Sequence, residues 1–259
     1  MSNGKLLNHC GAREVTLNEL AVIEAPPATD TWFPISHFDV FRTVSQTLRS
    51  AGYEVGKQRF SLSQENHRFF GVLDLASRIA EGVNLSIGIR NSTDKSFPIG
   101  LVGGSRVFVC DNLAFHGEIY VAKRHTRFGQ DRYEEGIATA IASLSQYQKT
   151  QGEWINRLRS REFSRQETDA LLLRAYEEDV VGARQLPLLI QEVRHPSHEE
   201  FKEPTAWSLY NCFTSVLNRT MQTQPAKHAL TTIRLQRIFE EREVIDVEFT
   251  RNQQATLAV

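Results

Sequence analysis

Residues 83–115 read VNLSIGIRNSTDKSFPIGLVGGSRVFVCDNLAF. Val83, Leu85, Ile87 and Ile89 alternate with Asn84, Ser86, Gly88 and Arg90. That two-residue period is the pattern of a strand with one face toward a core. Asn91-Ser92-Thr93-Asp94-Lys95-Ser96 follows as a polar turn. Apolar residues then return through Phe97, Ile99 and Leu101, and again from Val107 to Cys110. The stretch predicts the centre of an antiparallel sheet with a hydrogen-bond-rich tip. A second polar pair, Asp111-Asn112, ends the later strand.

Outward from this centre, further elements follow. Ser36 predicts an N-cap for a helix to about Ala51 with an apolar face of Phe38, Phe41, Val44 and Leu48, ended by Gly52. Tyr53–Leu62 and His67–Leu75 read as strands joined by a turn at residues 63–66. Gly103-Gly104 predicts a bend or bulge, and Gly117–His125 one more strand.

After Gly129 the period changes to that of helices. Asp131 with Glu134 resembles a capping box, opening one long helix interrupted near Gly152. Ser164 with Glu167 opens a second. A third spans Ala183–Arg194, with Pro187 in its first turn and His195-Pro196 ending it. Pro204 starts another through Trp207, Tyr210 and Leu217, and a last one covers residues 226–242.

Strands first and helices afterwards predict an α+β fold, with an antiparallel sheet in the N-terminal half and a mainly helical C-terminal half. Residues 1–31 read as a peripheral arm, marked off by Ala25-Pro26-Pro27-Ala28. Residues 32–249 read as one α+β domain, with its sheet region about 53–126 and its helical region about 131–242. Residues 250–259 read as a disordered tail.

The 259 residues carry a net charge of −1, with 41% apolar and 24% charged residues, the composition of a soluble globular protein. The whole molecule is not a generic polycation, so any nucleic-acid contact needs a local basic stripe. No apolar run approaches the roughly 18 residues that span a bilayer. No charged leader precedes an apolar segment at the N-terminus. The three widely spaced cysteines, Cys10, Cys110 and Cys212, read as reduced thiols of a cytoplasmic protein.

Enzyme signatures are absent: no phosphate-binding GxxxxGK[ST] loop, no GxSxG elbow, no HExxH. Gly100, Gly103 and Gly104 lack dinucleotide-fingerprint spacing. His195-Pro196-Ser197-His198-Glu199-Glu200 offers metal-ligand types, but a proline-containing loop does not hold three or four ligands rigidly. A helix-terminating turn is the favoured reading there. No cofactor and no metal are expected. Cys110, at the end of an apolar run, reads as a buried structural thiol ahead of a nucleophile. Asn91, Ser92 and Asp94 are the residues a tight turn uses; a loop that touches a ligand or a neighbouring subunit is the alternative.

Two basic clusters remain. Lys123, Arg124 and Arg127 with Phe128 close the sheet region, and Arg157, Arg159 and Arg161 lie at the end of the long helix. Cations beside aromatic rings suit single-stranded nucleic acid, the charges following phosphates and the rings stacking on bases. The competing reading for the second cluster is a solvated helix C-terminus, where cations are favoured by the helix dipole.

The Asn91–Ser96 turn, with Val109-Cys110-Asp111-Asn112 after the next strand, resembles a family of phage-, prophage- and plasmid-borne proteins built on a domain of unknown function. That family's turn typically reads Asn-Ser-His-Asp-Gly-Ser and its later strand ends Val-Cys-x-Asn. Here Thr93 stands at the histidine and Lys95 at the glycine. Thr205–Asn211 looks like a helix of the same family, and the resemblance spans about residues 30–245. It implies Asn91, Ser92, Asp94, Cys110 and Asn112 as family-motif positions and a mobile-element origin. Sheet-then-helix order is also compatible, by analogy, with ring-forming single-strand annealing proteins.

The sequence therefore predicts a non-enzymatic, cytoplasmic, homo-oligomeric nucleic-acid-binding protein with single-stranded DNA as favoured ligand and no membrane partner. Two alternatives stand beside it. One is a protein-interaction or assembly module acting on a host partner. The other is an enzyme with a site around Asn91, Asp94, Cys110 and Asn112.

Overall fold

The computed structural model describes residues 13–107, 113–123, 129–223 and 227–241. Six strands, β1 (Arg13–Val15), β2 (Val55–Leu62), β3 (Arg68–Ala80), β4 (Val83–Ser92), β5 (Ile99–Val107) and β6 (Leu113–Lys123), form one antiparallel sheet in sequential order. The opening stretch supplies β4 and β5, both interior to the sheet. The fold is α+β, with the sheet in the N-terminal half and most helices after it.

Alternation decides which face each strand buries. Phe60, Leu62, Phe69, Leu73, Leu85, Ile87, Ile89 and Leu101 share one core with α2 (His37–Ser50) and α3 (Gly129–Ala142). Each such side chain taken fully out of water contributes about 1.5–3 kcal/mol. α2 starts where Ser36 Oγ accepts from the Asp39 amide. It stops where Gly52 adopts φ +84 and the Tyr53 amide donates to Leu48 O at 2.9 Å. That pair of features is a Schellman closure, which favours glycine at the left-handed position.

α4 (Leu144–Ser160), α5 (Arg165–Glu177), α6 (Leu186–Arg194), α7 (Ala206–Thr223) and α8 (residues 227–241) build a second core around Trp154, Leu158, Leu172, Tyr210, Phe213 and Phe239. Val83, Val107 and Ala114 from one end of the sheet join it. The Ser164–Glu167 capping box is present in both directions. None of the described helices is long and apolar enough to cross a membrane.

Several boundaries differ from the sequence reading. The long helix breaks at Ser143, between α3 and α4, and Gly152 lies inside α4. Its glycine answers a packing need: a Cβ there would sit 2.7 Å from the Ile79 carbonyl oxygen of β3. α3 begins at Gly129, so Asp131 falls within its first turn and not at its cap. β3 runs on to Ala80, past an irregularity between Asp74 and Arg78 that a simple alternation does not reveal. The expected Gly103 irregularity is real: the β5–β6 register jumps between Val102↔Tyr120 and Gly103↔His116. The N-terminal segment packs on the body over residues 13–21, where β1 pairs with β2 and Leu20 of α1 (Leu17–Ala21) is fully buried. The expected tail at 250–259 lies outside the described residues.

Candidate functional site

The Asn91–Ser96 turn closes β4 and is held from every side. Asn91 is fully buried, its Nδ2 donating to Ile35 O at 2.9 Å and lying 3.0 Å from His37 Nδ1. His37 Nε2 lies 2.9 Å from Asn66 O. A carbonyl only accepts, so the imidazole carries its proton on Nε2 and accepts from Asn91 on Nδ1. Ser92 Oγ donates to Phe97 O at 2.7 Å and accepts from the Phe97 amide at 3.0 Å. Asp94 accepts from Ser96 through its backbone and hydroxyl, and from Arg68 Nε at 2.8 Å. Burial raises the Asp94 carboxyl pKa, but the Ser96 and Arg68 interactions outweigh this and bring it down to about 2. These side chains position backbone; they do not converge on a reacting atom. Cys110, Asp111 and Asn112 lie outside the described residues.

Lys123 and Arg159, one residue from each predicted basic cluster, lie at opposite ends of β5. Lys123 ends β6 opposite Ile99, while Val83 pairs with Val107 at the other end of β5. Arg159 is at that far end, its Nη2 donating to Glu81 O at 2.6 Å in the β3–β4 turn. Eight residue steps of about 3.3 Å along β5 put these ends roughly 26 Å apart. Arg159 also stands 5.5 Å over the Trp207 ring, and Arg161 stands 4.7 Å over Phe163. Both arginines fasten the end of α4 to its neighbours, and Arg157 is exposed beside them. Arg124, Arg127 and Phe128 lie outside the described residues.

A groove that the sequence reading missed opens beside the Lys123 end. Phe70, Gly88, Arg90, Gly100 and Val102 face Ala229, Leu230, Ile233 and Arg237 of α8 across a cavity of about 330 Å³. Among the described residues the lining holds two cations, Arg90 and Arg237, and no acid. Arg90 lies across Gly100, where a Cβ would come within 2.7 Å of its Nε, and its guanidinium carbon is 5.5 Å from the Phe97 ring centre. Glycine at 100 therefore lets the guanidinium lie flat on the sheet. On α8, Lys227, Leu230, Arg234 and Arg237 are all exposed. Their spacing of 3, 4 and 3 residues places them on one helical face. Lys123 is one rung from this groove, because Gly100 pairs with Ala122. The available signal was Arg90 itself, a charge on the Ser/Gly face of an interior strand.

Farther along the same sheet face, Asp74 accepts from Ser86 Oγ at 2.7 Å, Arg106 Nε at 2.8 Å and Arg59 Nη2 at 3.3 Å. The three charged side chains are 7–12% exposed. This buried cluster, also missed, was signalled by one carboxylate inside the apolar run Val72-Leu73-Asp74-Leu75. The His195–His198 loop does end α6, with Ser197 Oγ donating to Glu192 at 2.6 Å. Among the described residues no group of three or more His, Cys, Asp and Glu side chains is placed to hold a metal ion.

No family model, no curated protein and no solved structure matches this chain.

Proposed function

We propose that this chain is a non-enzymatic nucleic-acid-binding protein of a phage or plasmid, with single-stranded DNA as the favoured ligand. The observation that carries this reading is the groove between β4–β5 and α8. It combines Arg90 and Arg237 with the Phe70 ring and a glycine-floored strip, and no carboxylate is among its described lining residues. Arginine planes and a ring accept stacked bases, and the guanidinium charges meet phosphates. Lys123, one rung away, leads in sequence to Arg124, Arg127 and Phe128, which extend the basic surface in this reading. The phage and plasmid assignment rests on the turn motif; the φ of +65 at Lys95 is a backbone that the related glycine would favour.

The test is fluorescence anisotropy of labelled single- and double-stranded oligonucleotides over a salt series. Binding should prefer single strands and weaken with salt. Arg90→Gln with Arg237→Gln removes two cations, so the log–log salt slope should fall by roughly 1.4. Arg159→Gln should leave affinity unchanged. Absence of binding at low salt, or an unaltered slope in the double variant, overturns the assignment and favours the interaction-module reading.

A further inference from the structure

The helical half contains a second cleft, unrelated to the nucleic-acid reading. It is about 450 Å³ and lies among α5, α6, α7 and the loop before α7. Sites for small organic ligands commonly fall between about 300 and 1,000 Å³. Phe163, Leu172, Ile190, Phe201 and Leu209 contribute its apolar lining. Among the described residues five charged ones also line it: Arg165, Arg194 and Lys202 against Asp169 and Glu203.

These charges are not equally committed. Lys202 Nζ is 2.5 Å from Glu199. Among the described residues, no ion pair or hydrogen bond engages the side chain of Arg165 or Arg194. The two arginines come from different helices, the start of α5 and the end of α6. Guanidinium groups bind carboxylates through two parallel N–H donors, a geometry that lysine cannot reproduce. Asp169 and Glu203 oppose a polyanion such as a nucleic-acid backbone, which would bring several charges past them. A ligand with one anionic head and an apolar body satisfies the arginines and the lining together.

We infer that this cleft binds a small amphipathic monocarboxylate, its carboxylate on Arg165 and Arg194 and its apolar body on Phe163, Leu172 and Leu209. The probes are octanoate, octan-1-ol and octylamine, titrated onto the full chain by saturation-transfer NMR. Octanoate should saturate at least tenfold more tightly than octanol, because hydrogen bonds to charged groups are the strong ones. Octylamine should bind no better than octanol. Arg165→Gln with Arg194→Gln should bring octanoate to the octanol level. Thr168→Trp, at a half-buried lining position, should fill the cleft and remove binding of all three while circular dichroism stays unchanged. No saturable octanoate binding by the folded wild-type chain overturns the inference. So does equal affinity for octanoate and octylamine, or an unchanged octanoate affinity in the arginine double variant.

Discussion

The Asn91–Ser96 turn and the Arg90–Arg237 groove meet at adjacent residues, yet they are opposites. Asn91 points under α2 and donates to Ile35 and His37. Arg90, one residue earlier, is on the other face of β4 and reaches across Gly100 to a cavity. The turn is conspicuous in sequence because tight turns concentrate Asn, Ser and Asp for local hydrogen bonding. The groove is inconspicuous because its parts are 70, 88, 90, 100 and 237 in the chain. Local residue density thus marks backbone constraint here, while the surface suited to a ligand is assembled from distant segments.

The largest expected effect falls on the charge cluster farther along the groove's own sheet face. Asp74→Ala removes the carboxylate shared by Arg59, Arg106 and Ser86 in a nearly buried setting. Breaking such a cluster from one side costs about 3–5 kcal/mol. Urea denaturation should show a loss of that size. A change below about 1 kcal/mol would mean that the charges on this face are interchangeable and would blur the contrast.

Next comes Asn91→Ala. It leaves a half-buried carbonyl at Ile35 without the amide's donation, and it removes the donor to His37 Nδ1. About 2–3 kcal/mol of destabilisation is expected. Oligonucleotide affinity of the remaining folded protein should be unchanged. Loss of affinity with intact stability would instead make the turn a ligand contact. The converse pattern is expected for Arg90→Gln with Arg237→Gln: stability within about 1 kcal/mol of wild type and a weaker, less salt-sensitive complex. Opposite patterns in the two variants would be the sharpest form of the comparison.

Sheet and helices were legible because burial imposes period on the chain. Leu85–Ile89 alternates since one face of β4 meets α2 and α3, and the Ser164 box is written in two residues. Other features depend on contacts that no local window contains. Gly152 looked like a helix breaker but makes room for Ile79 O, 73 residues earlier in the chain. Sequence cannot show that the length of β5 lies between Lys123 and Arg159. The groove needed the register that sets Arg90 beside Gly100, and the return of α8 to cover it.

The smallest expected effect tests whether the turn's charge is structural as well. Asp94 titrates near 2 in the folded chain against an ordinary 3.8. A depressed folded value means that the carboxylate's contribution is complete above about pH 4 and is lost as pH falls through about 2. The partners are partly solvated, with Arg68 58% and Asp94 24% exposed, so screening keeps the effect below about 1 kcal/mol. Asp94→Asn should therefore lower stability slightly at pH 7 and flatten its fall between pH 4 and 2 relative to wild type. Denaturation midpoints at several pH values in that window provide the reading. If both chains lose stability in parallel, Asp94 is not the group that titrates, and the turn is held by Asn91 and Ser92 without help from its charge.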